Sequence, residues 1–302
     1  MIVGVVGAGA LGTLFGAALA RTCEGRVLTH DTRSARAIAN RGGLVVDDDA
    51  PRAVRVSHDP ALFEQIEILL VAVKTFATIE TLEPLRALLG HGTPVVSLQN
   101  GIDAVDQIDY AFEHDCCIAL APTTEAAERL EPGRARRSGS GTTYLGWADG
   151  HAGGAELEAL ADACRAGELA VERVQPIETY AWGKLVASAA INPLTALANV
   201  RNGELLERPG LRARAGRVAR EVAGLAQRLG IALPYSDAVA YVESVARATA
   251  ANRSSMLTDL LAGRPTEIEA ISGAVLRRAA AAGVAVPENQ RLLDEVRARA
   301  KA

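Results

Sequence analysis

The stretch "VVGAGALGTLFGAALA", residues 5 to 20, constrains this chain most. Gly7, Gly9 and Gly12 fit the spacing G-x-G-x-x-G, directly after the β-branched run "IVGVV" and directly before an apolar stretch of helical character. In that setting the first glycine permits a tight turn and the second lets the backbone approach a pyrophosphate. The third lets the helix pack closely on the strand. The amide-rich start of the helix then faces an anion. Gly7, Ala8, Gly9, Ala10, Leu11 and Gly12 are the candidate cradle for a dinucleotide; the competing reading is a turn that only joins a strand to a helix.

The first half of the chain continues this rhythm. Runs such as "GRVLTH", "EILLVAV" and "TPVVSLQ" alternate with helical stretches such as "TIETLEPLRALLG", the pattern of a parallel sheet with crossover helices. Near "GRARRSGSGTTYLGW" short strand-like pieces predict a last hairpin or edge of that sheet. After "AVERV" strand-like runs stop, and from Tyr180 onward alanine- and leucine-rich helices are broken at "NVRNG", "LGIALP", "AGRP" and "AAGVAVP". A chain of 302 residues is long enough for two cores. The expectation is an α/β Rossmann-type N-terminal domain over 1–172 and an all-α C-terminal domain over 173–302.

Composition narrows the partner. Hydrophobic residues make up 49% and charged residues 23%, with a net charge of −4, so no basic surface awaits nucleic acid and a small molecule is expected instead. Met1 leads straight into "IVGVVG", so no signal peptide is expected, and no apolar run approaches the ~18 residues of a membrane span. Cys23, Cys116, Cys117 and Cys164 show no C-x-x-C spacing and no histidine cluster, which predicts neither a metal site nor a disulfide framework. The expected compartment is cytoplasmic.

Asp31 ends the second strand-like run, 19 residues past Gly12, near the interval expected of a carboxylate that meets the adenosine ribose. Such a carboxylate favours NAD(H) and repels a 2′-phosphate. Arg33 and Arg36 follow at once, and either guanidinium could grip that phosphate or simply lie in solvent.

The chain uses arginine almost to the exclusion of lysine: only Lys74, Lys184 and Lys301 occur among 32 basic residues. Lys301 is a tail residue. A buried lysine can be tuned towards neutrality, whereas a guanidinium cannot. Lys184 opens "KLVASAAINPLTALANV", with Ser188 and Asn192 at four-residue intervals on one helical face. Pro193 predicts a kink or break beside Asn192, and a polar stripe there points to a cleft. Further on, "NRSSMLTDLLAGRPTEIEAISG" offers Asn252, Ser254, Ser255 and Glu267, with Thr266 and Glu269 spaced as a capping box that would place Glu267 in a first helical turn.

Together these residues resemble the ketopantoate reductase family (2-dehydropantoate 2-reductases), within the wider 6-phosphogluconate dehydrogenase-like group. The resemblance spans nearly the whole chain and rests on "GAGALG", "VAVKTF", "LQNG", "APTTEAA", "WGKL...INPLTAL" and "NRSSMLTDL...PTEIEAISG". It implies an NADP(H)-dependent enzyme that reduces ketopantoate, a 2-oxo acid, to pantoate on the way to pantothenate and coenzyme A. It further implies that Lys184 is the general acid, that Glu267 supports it, and that Asn100 lies at the junction of cofactor and active site. Asn192 and Ser255 would contact substrate with Asn252 nearby, and Lys74 would sit near the cofactor. Two positions depart from the family pattern. Ser188 stands where an asparagine is usual, which leaves open another bulky 2-oxo acid. Asp31 and Thr32 stand where an arginine is usual, with Arg33 displaced, which leaves NAD(H) open. A reading of another class is a non-catalytic NADP(H)-sensing protein, against which the set Lys184, Asn192, Ser255 and Glu267 argues. The resemblance leaves a homodimer through the helical domain open.

Overall fold

The computed structural model describes residues 1–148 and 154–300, so Lys301 lies outside the described residues. The chain divides into two compact units: Met1–Gln99 with Ala104–Ile177, and Asn100–Asp103 with Glu178–Ala302.

In the first unit the strands are β1 (Ile2–Val6), β2 (Glu24–Leu28), β3 (Val45–Val46), β4 (Arg55–Ser57), β5 (Ile68–Val71), β6 (Pro94–Ser97), β7 (Cys117–Leu120), β8 (Ala126–Glu131), β9 (Arg134–Gly139), β10 (Thr142–Trp147) and β11 (Ala170–Arg173). The helices are α1 (Ala10–Leu19), α2 (Thr32–Arg41), α3 (Thr78–Leu82), α4 (Ala104–Ala111) and α5 (Ala155–Ala166). The main sheet runs β11-β10-β7-β6-β5-β1-β2-β4. Its central pairs are parallel, with Val5 opposite Val27 on one side and Leu70 on the other. The four residues of β5 and of β6 are all buried, as strands covered on both faces require. From β1 the chain order departs in both directions, to β2 and β4 on one side and to β5, β6 and β7 on the other. That is the topological switch point at which open α/β sheets bind ligands beyond the strands' carboxyl ends.

The expected terminal hairpin divides between two sheets. β8 and β9 pair antiparallel and join β3 in a separate three-stranded sheet, while β10 enters the main sheet antiparallel to β7 and β11 closes its edge. Charge explains the split: β8 reads AAERLE and is largely exposed, unsuited to a layer buried between helices. The unit extends five residues past 172, because β11 pairs with β10 through Arg173 and Ile177 is fully buried.

The second unit holds α6 (Ile177–Ala198, whose first residue belongs to the first unit), α7 (Glu204–Glu207), α8 (Pro209–Arg228), α9 (Ala238–Ala248), α10 (Ser255–Leu261), a π-helical turn at Glu269–Gly273, α11 (Ala274–Ala282) and α12 (Pro287–Ala300). Its described residues form no strand. Leu185, Val186, Ala189, Ala190, Ile191 and Leu194 of α6 enter one apolar core with Val218, Val222 and Leu225 of α8. The break expected at Pro193 does not occur: α6 is continuous over 22 residues. Proline denies one intrahelical donor, but packing of α6 on nearly every side outweighs that local cost.

Gly12 is fixed by the fold itself, since a Cβ there would lie 1.8 Å from the Gly7 carbonyl oxygen. Gly12→Ala is expected to destabilise the protein by about 1–3 kcal/mol in denaturant titration, the usual cost of overpacking; an unchanged midpoint would contradict this account of the turn.

Candidate active site

The glycine turn in the first unit can be sorted by what each residue is needed for. Gly7 has a φ of +98° and a Cβ there would meet Val73 Cγ1 at 2.9 Å, so turn geometry and the close approach of the chain after β5 both demand glycine. Gly9 is different. Its Cβ would find no protein atom nearer than the Ala72 carbonyl oxygen at 4.0 Å, and its φ of −77° suits any residue. The fold leaves open space where Gly9 has no side chain, at the start of α1, whose first turn carries no acidic residue and no side-chain cap. A pyrophosphate fits both the space and the unpaired N–H groups. Ala8, Ala10 and Leu11 complete this turn and the first residues of α1.

Lys74 follows β5, which lies beside β1, and so stands one residue beyond the Val73 that packs on Gly7. The Gln99 amide braces this segment by donating to the Val73 carbonyl at 3.0 Å and to Thr78 Oγ1 at 2.7 Å. Asp31 caps α2. Its Oδ1 accepts from the Ser34 backbone N–H at 2.6 Å, and Oδ2 lies 3.0 Å from Ser34 Oγ and 2.5 Å from His30 Nε2. The Ser34 backbone bond, foremost, holds the Asp31 carboxyl below its usual range. Arg33 is exposed in the first turn of α2.

In the second unit, residues 181–196 of α6 are buried except at three positions: Lys184, Ser188 and Asn192. The four-residue spacing read from the sequence is thus the one half-open stripe on this part of the helix. Burial lowers the Lys184 ammonium from an ordinary pKa of 10.5 to about 8, with the charge of Glu267 opposing the shift. Glu267 is itself buried, and its Oε2 accepts from Asn100 Nδ2 at 3.1 Å. Three sequence-predicted residues are therefore brought together: an ammonium tuned near neutrality, a carboxylate that acts on it, and an amide that holds the carboxylate.

The expected capping box does not form around Glu267. Glu269 gives its carboxylate to the Arg297 fork, at 2.7 and 2.9 Å, the stronger bidentate match. The Glu267 carbonyl instead accepts from the backbone N–H groups of Ala270 and Ile271, both at 3.1 Å, at the entrance to the π-helical turn. Asn100 belongs to the helical unit and the glycine turn to the first.

Ser255 is the exposed first residue of α10, and its neighbour Ser254 ties that helix to α6. The Ser254 hydroxyl lies 2.8 Å from Thr195 Oγ1, accepts from the Leu257 backbone N–H at 3.2 Å and reaches the Asn192 carbonyl at 3.5 Å. This brings the segment carrying Asn252 and Ser255 beside Asn192. Asn252 is held through its backbone carbonyl, which accepts from the Asn202 N–H at 3.0 Å. Sequence reasoning missed Thr195 as the partner of Ser254. Its hydroxyl also lies 2.8 Å from the Ile191 carbonyl oxygen one helical turn back, and its only signal was a hydroxyl set within the apolar run "PLTALA".

The chain matches "Ketopantoate reductase PanE/ApbA" over residues 3–150 and "Ketopantoate reductase PanE/ApbA C terminal" over residues 176–300. It belongs to the ketopantoate reductase family. The 2-dehydropantoate 2-reductase of Archaeoglobus fulgidus is 36% identical over 97% of this chain and 96% of its own length, and that of Shigella flexneri is 32% identical over 98% and 94%. Among solved structures, a PanE/ApbA family ketopantoate reductase from Ralstonia eutropha has a TM-score of 0.89 at 28% identity, covering 100% of this chain and 99% of that one. The 2-dehydropantoate 2-reductase from Geobacter metallireducens has a TM-score of 0.88 at 29% identity, covering 99% of each. The family is one of oxidoreductases, so the tuned lysine and the open glycine turn occur in a chain of reductase descent.

Gly9→Val fills the space above the turn without striking the fold. The variant is expected to keep its unfolding midpoint within about 1 kcal/mol of the parent, yet to lose dinucleotide binding in a fluorescence titration. Undiminished binding would remove this turn from the cofactor site.

Proposed function

We propose that this protein is an NADPH-dependent 2-dehydropantoate 2-reductase, with ketopantoate as substrate. The observation that carries the reading is Lys184, held near neutrality in an apolar helix with Glu267 acting on it. As the ketone carbon of a 2-oxo acid is reduced, negative charge builds on its oxygen, and an ammonium within hydrogen-bond reach stabilises that charge and delivers the proton. The lysine is left neutral and regains its proton from solvent. A pKa of about 8 suits this duty: the group is mostly charged at neutral pH, yet releases its proton more readily than an ordinary lysine.

Glu267 keeps Lys184 from losing its charge too early, and the Asn100 amide donates to Glu267, keeping that carboxylate in place. Ser188 and Asn192, on the same half-open stripe, supply polar groups for the substrate, as does Ser255 on the neighbouring helix. Residues 7–12 would hold the pyrophosphate of a nicotinamide dinucleotide, with Lys74 beside them. When bound, that group supplies the hydride. We read the cofactor as NADP(H) because both oxygens of Asp31 are engaged at the start of α2, while the Arg33 guanidinium nearby is exposed to meet a 2′-phosphate. A second reading rests on Ser188: a side chain with fewer hydrogen-bonding positions than the family's usual asparagine would suit a different bulky 2-oxo acid.

The test is consumption of NADPH or NADH by the purified protein over a panel of 2-oxo acids, with cofactor dissociation constants measured alongside. Ketopantoate with NADPH is expected to give the highest kcat/KM. A higher value for another acid would move the substrate to the second reading, and tighter binding of NADH would reverse the cofactor assignment. Lys184→Ala is expected to lower kcat by about 10²- to 10⁴-fold, the range typical of a lost general acid, with cofactor binding preserved. Reduction needs the protonated lysine, so the wild-type rate is expected to fall as pH rises through about 8, and Lys184→Ala to lose that limb. Glu267→Gln removes the charge that raises the lysine's pKa, so its limb is expected at lower pH. A near-native rate and unchanged profile in Lys184→Ala would show that the proton comes from elsewhere.

A further inference from the structure

Four consecutive residues, Asn100 to Asp103, belong to the helical unit although the chain on either side of them belongs to the first. Each has its own means of attachment. Asn100 donates to Glu267. Gly101 has a φ of +89° and lies so close to the π-helical turn that a Cβ would come within 2.2 Å of the Ala270 carbonyl oxygen. Ile102 is buried in the core shared by α6, α8 and α12. Asp103 accepts a charge-assisted hydrogen bond from Arg277 of α11. The same Arg277 nitrogen also donates to the Glu269 backbone carbonyl at 2.8 Å. Glu269 in turn is fastened to Arg297 of α12 through both carboxylate oxygens. One guanidinium thus joins the far end of the segment to the turn that begins two residues after Glu267.

The geometry points to Arg277 and Asp103 as positioning residues that fix the Asn100–Glu267 contact, and through it the placement of Glu267 against Lys184. The inference deepens the reading of Lys184 as general acid and rests on it. Neither residue is needed to make the core apolar: the Asp103 carboxylate is nearly buried, while the Arg277 side chain is 55% exposed. For a merely stabilising pair, an arginine that exposed would contribute little. What this one does is span two groups, the carboxylate of Asp103 and the carbonyl of Glu269, so that the segment and the turn cannot slide past one another. Small displacements matter here, since a misplacement of about 1 Å can cost 10²-fold in rate. If the turn drifts, Glu267 recedes from Lys184 and the burial of the ammonium goes less opposed. The charge that acts on Lys184 from the elements packed around it is that of Glu267.

The test uses the full chain and the variants Arg277→Met, Arg277→Lys and Asp103→Asn. Because the sequence holds only Lys74, Lys184 and Lys301, acylation of Lys184 can be followed by mass spectrometry as a function of pH, with no substrate present. In Arg277→Met the labelling midpoint of Lys184 is expected to move to lower pH, with the alkaline limb of kcat moving by the same amount. The fall in kcat is expected to reach up to about 100-fold, with KM for the oxo acid changing far less. Arg277→Lys keeps the charge opposite Asp103, but its compact ammonium on a shorter, more flexible stem does not reproduce the rigid planar guanidinium that sets one nitrogen between the two acceptors, so its midpoint should lie between those of Arg277→Met and wild type. Should Arg277→Met fail to fold, Asp103→Asn carries the same expectation with smaller size. A Lys184 labelling midpoint in the folded variant equal to that of wild type would overturn the proposal, whatever happens to the melting temperature. Failure of the reductase reading is seen separately, as absent turnover in the wild-type protein with the labelling shift intact.

Discussion

The helical unit is organised around one unfavourable act: placing a lysine ammonium on a helix whose middle turns are buried except along the stripe of Lys184, Ser188 and Asn192. Desolvation disfavours the charged form, and the opposing charge of Glu267 limits the fall of the lysine's pKa, which stands at about 8. That balance needs Glu267 to be buried as well, because a carboxylate in open water would be screened. A buried carboxylate needs hydrogen-bond donors. Asn100 is one such donor, and it comes from a segment far away in sequence. Lys184 therefore commits the chain to bring residues 100–103 into the helical unit and to hold them there.

The sheet unit solves a different problem, that of leaving room. Two glycines of its first turn are consumed by the protein's own geometry, one through a positive φ and one through contact at the strand–helix packing. Gly9 is not, and its missing side chain leaves open space at the start of α1. The fold requires Gly7 and Gly12 but not Gly9. The start of α2 shows the same separation for charge. Asp31 has a complete structural duty as a cap, so its presence near the expected ribose position carries less weight for cofactor choice than its sequence position alone implied.

Much of this was legible in the sequence because it depended on local spacing. The β-α alternation predicted the parallel sheet, and Lys184, Ser188 and Asn192 at four-residue intervals marked the half-open stripe within residues 181–196 of α6. The failures came where tertiary contacts outweighed local preference. Pro193 did not break α6, because the core holds that helix from nearly all sides. Glu269 abandoned the capping box for Arg297, a residue 28 positions away that no local pattern could supply. β8 and β9 left the main sheet because their charges could not be buried between helices. The motif "LQNG" points to Asn100, but nothing in the spacing of Asn100–Asp103 reveals that its partners lie near residues 267 to 277.

The most direct measurement of the central claim is an NMR titration of the Lys184 side-chain amine in the wild-type protein, assigned by its loss in Lys184→Ala. The account predicts a midpoint near 8, well below the ordinary 10.5, and a further fall when Glu267 is replaced by glutamine. A midpoint at the ordinary lysine value, unmoved by that replacement, would contradict it.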